Sequence, residues 1–211
     1  MLLGIHTAQR AVGLRGILLN QPLMSRRLSN LCGVDDAPFA RSHRGDVPIV
    51  GAVTTRRRLD GIVTGEVRRD GVNATERVAE MLLGSPFEAH VQAIVLNGIA
   101  LAGFNVVDLA ALHERVGRPV LVVARKAPDL PAIRRALLRR VPGGARKWRL
   151  IEAAGPMEPC EGVWVQRAGL SLPSAAQLIG DAREQGQIPE PIRLAHLIAG
   201  ALGRGTSKGG A

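Results

Sequence analysis

The chain has almost no aromatic side chains: they make up 2% of its 211 residues, and there is no tyrosine. Its core must therefore be packed from Leu, Val, Ile and Ala. A function that needs rows of stacking rings, such as sequence-independent binding of single strands, is poorly supported. Lysine is scarce too, since Lys126, Lys147 and Lys208 are the only three. The net charge of +10 thus rests on arginine, whose planar fork suits phosphate, and an excess of this size suits a polyanion. A compositional bias toward Arg, Ala and Gly gives the same excess, so charge alone does not choose. Two cysteines, Cys32 and Cys160, lie far apart without CxxC spacing. They read as reduced thiols of a cytoplasmic protein. No apolar run reaches the roughly 18 residues of a membrane span, so no membrane partner is expected.

At the N-terminus, Arg10 and Arg15 interrupt the apolar residues of MLLGIHTAQRAVGLRGILLN and spoil a secretory segment. The stretch imitates a transit peptide, or lies upstream of a start at Met24. Residues 1–28 are expected to lie outside the fold, residues 29–202 to form it, and the Gly-rich residues 203–211 to be disordered.

Within the body, period and punctuation give an order of elements. Three strands come first, at 31–35, 47–54 and 59–67. The second is apolar throughout (VPIVGAV), as a central strand would be; the third alternates. Asn73-Ala-Thr-Glu76 has the capping-box pattern and opens a helix that Gly84-Ser-Pro86 stops. Two β–α units follow, a strand at 91–96 with a helix at 106–116, and a strand at 119–124 with a helix at 131–140. Short strands are expected at 148–152 and 163–166, and helices at 173–184 and 191–202, each with Pro in its first turn. The order β-β-β-α-β-α-β-α describes an α/β, ribonuclease H-like mixed sheet, with three antiparallel strands followed by parallel β-α units and flanked by helices. In that arrangement the first and fourth strands run side by side, and their C-terminal ends bring Asp35 to Asn97.

Adjacent carboxylates at a strand end point to opposite faces, so of Asp35 and Asp36 one can face a site while the other caps a turn. Asp70 follows the third strand before a glycine, and Asp108 opens a helix, where the dipole also favours an acid. Glu190, Arg193 and His196 recur every three residues and share a helix face. Each also has a plain structural reading: turn residue, first-turn acid, partly buried histidine. Together they resemble the donors of a two-metal phosphodiesterase, because Mg²⁺ and Mn²⁺ take oxygen ligands and strand-end carboxylates are held rigidly. Asn97 brings an oxygen but no charge. Arg125 and Lys126 follow the fifth strand and border the same sheet end.

The runs Gly33-Val-Asp-Asp-Ala-Pro-Phe39, Asp70-Gly-Val-Asn-Ala-Thr75, Leu96-Asn-Gly-Ile-Ala-Leu-Ala-Gly-Phe-Asn-Val-Val-Asp108, Arg125-Lys-Ala-Pro-Asp129 and Ile188-Pro-Glu-Pro-Ile-Arg-Leu-Ala-His196 resemble, in order, the endonuclease dU family related to endonuclease V. The resemblance implies a ribonuclease H-like fold and a Mg²⁺- or Mn²⁺-dependent nuclease acting on DNA, or RNA, at deoxyuridine or related deaminated bases. It assigns Asp35, Asp36, Asp70 and Asn97 to the metals, and Asp108 and His196 to proton transfer or support. Arg125, Lys126 and Arg193 would contact phosphate. The family pattern carries Asp where Asn97 stands, often Asp where Asn73 stands, and the duplex-opening wedge of endonuclease V has no match here. These departures keep a second expectation open, a nucleic-acid-binding protein with a degraded metal site. A third is a nucleotide enzyme using the same pocket.

Overall fold

VPIVGAV is apolar on both sides because the strand that carries it is covered on both faces. The computed structural model describes residues 27–208. Its first elements are β1 (Asn30–Asp36), β2 (Asp46–Thr55), β3 (Arg58–Arg68), α1 (Ala74–Leu83), β4 (Ala93–Asn97), β5 (Ala100–Leu101) and β6 (Asn105–Val106). The rest are α2 (Leu109–Val116), β7 (Val120–Ala124), α3 (Leu130–Arg140), α4 (Gly144–Ala153), β8 (Glu158–Cys160), β9 (Val163–Ala168), α5 (Leu172–Ala182) and α6 (Glu190–Arg204). Seven strands form one sheet in the order β3-β2-β1-β4-β7-β9-β8. β1 to β3 pair antiparallel, β1 with β4 and β4 with β7 pair parallel, and β9 returns antiparallel to β7. This is the expected ribonuclease H-like mixed sheet, with β8 and β9 added as a hairpin at one edge.

Strand alternation sorts the side chains between two cores. On one face Cys32, Val34, Ile94, Leu96, Val120 and Val122 pack with Val78 and Leu82 of α1 and Leu112 of α2. On the other, Leu31, Ala93, Val95, Leu121 and Val123 pack with Leu178 and Ile179 of α5 and Ile192 of α6. Each fully buried Leu or Ile contributes about 1.5–3 kcal/mol by leaving water. Gly33 shares the α6 face, where a Cβ would come within 2.2 Å of the Pro191 carbonyl carbon. Only glycine lets α6 lie directly on β1. Cys32 and Cys160 are both free and buried, and burial pushes the Cys32 thiol up to about 12. Among the described residues no helix is long and apolar enough to cross a membrane.

Several elements differ from the sequence reading. Residues 148–152 are not a strand but belong to α4. Their five-residue alternation is shorter than the helical repeat around them, in which Gly144, Lys147 and Ile151 form the buried stripe. Asn73 precedes α1 without capping it through its side chain. Its Oδ1 accepts instead from the Arg68 N–H (3.1 Å) and from the Asn105 amide (2.7 Å). Asn105, fully buried, supplies the cap by accepting from the Ala74 N–H at 3.0 Å. α2 starts at Leu109 rather than Val106, because Val106 pairs with Ala100 in the β5–β6 hairpin. α6 continues to Arg204. The expectations for residues 1–26 and 209–211 fall outside the described residues.

Candidate active site

Asp35, the penultimate residue of β1, faces α6 and is 5% exposed. Val34 is paired with Leu96 across the parallel β1–β4 ladder, so the next residue on each strand is Asp35 and Asn97. The Asn97 amide Nδ2 donates to Asp35 Oδ2 at 3.1 Å. His196 Nδ1, reaching down from α6, stands 2.7 Å from the same oxygen. Because a carboxylate only accepts, His196 carries its proton on Nδ1 toward Asp35. Nε2 is left without a protein partner among the described residues, on a side chain 35% exposed. Asp35 Oδ1 accepts the Asp36 N–H at 3.0 Å. Burial raises the Asp35 pKa above the ordinary carboxylate value, while the His196 and Asn97 hydrogen bonds pull it down. This is the arrangement of an imidazole oriented by a buried carboxylate, with its outer nitrogen available for proton transfer.

Asp36 points to the opposite face, as its place beside Asp35 requires. Burial, and then the negative charge of Asp35, push its pKa up to about 6 against a bond from the Ala102 N–H. Ala102 in turn accepts the Asp70 N–H at 3.0 Å. Asp70 takes a left-handed φ of +50° just after β3. Its Oδ1 accepts the Phe104 N–H at 2.9 Å, and Arg69 Nε lies 3.3 Å from Oδ2. Gly103, at φ +87°, admits that carboxylate, since a Cβ there would sit 2.6 Å from Asp70 Oδ1. Lys147, 1% exposed, donates to the Asp70 carbonyl. Asp70 therefore fastens the β5–β6 hairpin beneath Asp36 and shares no hydrogen bond with Asp35. Asp108 caps α2, accepting the Ala111 N–H at 3.0 Å, which is the plain reading of a first-turn acid. Arg193 has its guanidinium forked onto buried Glu190, with Nε 2.8 Å from Oε2.

The structure thus joins Asp35, Asn97 and His196 directly, sets Asp36 behind them, and leaves Asp70 and Asp108 in supporting bonds. Sequence reasoning passed over Asn105 and Lys147. A lone amide inside the apolar run GFNVVD was the available sign of the first; nothing local marks the second.

Among the described residues no group of three or more His, Cys, Asp and Glu side chains could hold a metal ion. Asp35 and Asp36 nonetheless offer the donor chemistry that a small divalent cation takes, two carboxylates at one strand end, although their side chains leave the strand on opposite faces. Asp35 is buried and Asp36 half-buried, and the Asp35 charge raises the proton affinity of Asp36, a repulsion a cation relieves. Mg²⁺ is commonly held by one or two carboxylates, the remaining ligands being water and substrate phosphate. Beside Asn97, at Gly98, begins an apolar cavity of about 460 Å³ bounded by Ile99, Val122, Ile133, Trp148 and Ile151. Arg125 and Lys126 are exposed just past β7, at the same end of the sheet.

The model of the family described as endonuclease dU matches residues 27–203. The chain belongs to the endonuclease dU family. A UPF0215 protein of Deinococcus radiodurans is 60% identical over 183 residues, covering 87% of this chain and 93% of that one. Among solved structures, a protein of unknown function from Archaeoglobus fulgidus superposes with a TM-score of 0.77 at 31% identity, covering 83% of this chain and 98% of its own. Endonuclease V of Ciona intestinalis, bound to a 24-mer DNA containing an inosine, superposes with a TM-score of 0.50 at 14% identity, covering 79% and 82%. The endonuclease dU chain therefore has the endonuclease V fold.

Proposed function

We propose that this endonuclease dU family member is a divalent-metal-dependent endonuclease that cuts DNA at or near deoxyuridine or another deaminated base. One observation carries the reading: His196 is held by buried Asp35, beside Asn97, where β1 and β4 end. Asp35 and Asp36 hold Mg²⁺ or Mn²⁺. The Asn97 carbonyl oxygen, turned away from Asp35 because its NH₂ faces it, is a neutral ligand. A bound cation supplies an acidified water and charge stabilisation at the leaving oxygen. His196, through Nε2, moves the proton of the attacking or leaving oxygen. Arg125 and Lys126 hold the backbone phosphate. The family description and the inosine-containing DNA bound by the Ciona relative support a deaminated-base substrate.

The test is nicking of duplexes that carry deoxyuridine, deoxyinosine or no lesion, in Mn²⁺ and in EDTA. The reading expects cleavage of a lesion duplex in Mn²⁺ alone. Intact DNA and RNA under every condition would overturn it.

A second reading is a nucleic-acid-binding protein whose metal site is degraded. It is favoured by the Asn97 amide, which occupies an Asp35 oxygen that a ligand aspartate would leave to a cation. It expects binding that survives both EDTA and Asp35→Ala.

A further inference from the structure

Residues 125–149 carry nine basic side chains against a single acid, Asp129, a net charge of +8 in a chain whose total is +10. Elsewhere many arginines are answered: Arg58 pairs with Asp60, Arg77 with Glu80, Arg167 with Glu158 and Arg193 with Glu190. On α3, Arg134, Arg135, Arg139 and Arg140 are all exposed, and among the described residues none has a carboxylate partner. The nearest acid in sequence, Asp129, is spent on the helix cap, accepting the Ala132 N–H. Arg135 and Arg139, at i and i+4, repel across one helix face, and α3 buries only Leu137 to offset them.

Beside these arginines runs a groove of about 520 Å³ lined by Leu130, Arg134, Arg135, Leu138, Arg139 and Trp148. Arg134 lies over the Trp148 ring, 5.9 Å from its centroid, and Leu138 is 48% exposed. Leu130 and Trp148 also line the cavity that begins at Gly98, so the groove adjoins the edge that holds Asn97.

We propose that the α3–α4 hairpin is an accessory surface that grips the sugar-phosphate backbone of a nucleic acid and extends the footprint beyond the catalytic edge. The occupant follows from the chemistry. Arg forks match phosphate oxygens, whereas a membrane or an acidic peptide gives no reason for a groove with an indole wall. Of the arginines that line the groove, Arg135 and Arg139 are four residues apart and share a helix face, roughly 6 Å from one another along the axis. That is about two nucleotide steps at ~3.4 Å per step on one strand. The proposal rests on the nuclease reading for its substrate, yet its test does not require cleavage.

The experiment is equilibrium binding of a 20-mer deoxyuridine duplex and its single strand by fluorescence anisotropy, in EDTA, across a salt series. The wild type is compared with Arg134→Gln/Arg135→Gln, with Arg139→Gln/Arg140→Gln, and with the quadruple variant. Each neutralised phosphate contact lowers the log–log salt slope by about 0.9. The duplex slope should fall by about 1.8 for the Arg134/Arg135 pair, by about 0.9 for the second pair, of which only Arg139 lines the groove, and by about 2.7 for the quadruple, with thermal midpoints no lower than the wild type's. The paired variants keep the test open should the quadruple misfold. An unchanged slope in correctly folded variants overturns the proposal, as does equal competition by polyglutamate of matched charge. A reduced slope without any nicking would sink the nuclease reading and leave this surface standing. Nicking with an unchanged slope would do the reverse.

Discussion

Around Asp35 the charges are buried and answered. One oxygen takes His196 and Asn97, the other a backbone N–H, and Asp36 behind it takes Ala102. Along α3, four arginines stand in water with no acid beside them. The two regions meet at the same end of the sheet, and the difference separates their jobs. Buried, hydrogen-bonded groups are held in one geometry and can carry chemistry. Exposed charges without acidic partners instead draw a polyanion to the surface and meet its phosphates.

The largest break in this contrast should come from Gly33→Ala. The new Cβ meets Pro191 backbone that cannot swing aside, so α6 must lift and carry His196 off Asp35. Overpacking of this kind costs about 3 kcal/mol. Chemical denaturation should show that loss, while the salt slope of nucleic-acid binding, measured well below the midpoint, stays as in the wild type. An unaltered denaturation midpoint would show that α6 is not seated on β1 as described.

His196→Asn sharpens the comparison at smaller effect. Its shorter amide keeps a donor where Nδ1 stands toward Asp35 and removes the outer nitrogen. Nicking should fall about 10–100-fold, the range for groups that support or relay at a metal site. DNA affinity should not change. An unchanged rate would remove His196 from the reaction.

The smallest effect is on stability and has the opposite sign. With its folded pKa near 6 and its ordinary value at 3.8, Asp36 binds its proton more readily in the native state. Stability therefore falls as pH rises through that window and is flat above it. Asp36→Asn removes the fall. At pH 8 in EDTA it should gain about 1–2 kcal/mol after allowing for partial exposure, or roughly 2–8 °C in Tm. At pH 3 it should gain nothing. Saturating Mn²⁺ should stabilise the wild type more than the variant. An equal gain at both pH values would contradict a strained carboxylate pair.

What could be read in advance depended on range. Element order sufficed to place β1 beside β4, and hence Asp35 beside Asn97, because parallel pairing follows from connection length and hydrophobic runs. The β5–β6 hairpin has strands of two residues and leaves no periodic trace. Its bonds nevertheless decide what Asp70 and Asn105 touch. An aspartate before a glycine looks the same in sequence whether it faces a cation or the Phe104 N–H. The capping box at Asn73 failed for the same reason, since Asn105, distant in the chain, took over the cap. The strand expected at 148–152 failed because five residues of alternation cannot outweigh the i, i+3, i+7 stripe of Gly144, Lys147 and Ile151.

The most direct measurement is Mn²⁺-dependent nicking of a deoxyuridine duplex by wild type, Asp35→Ala and Asn97→Asp in parallel. The account predicts cleavage by the wild type and a loss of about 10³-fold or more in Asp35→Ala, the equivalent of several kcal/mol of cation-borne stabilisation. It predicts that Asn97→Asp retains activity. Cleavage that persists in Asp35→Ala would contradict it. So would a silent wild type made active by Asn97→Asp, which would mark a disarmed nuclease that binds rather than cuts.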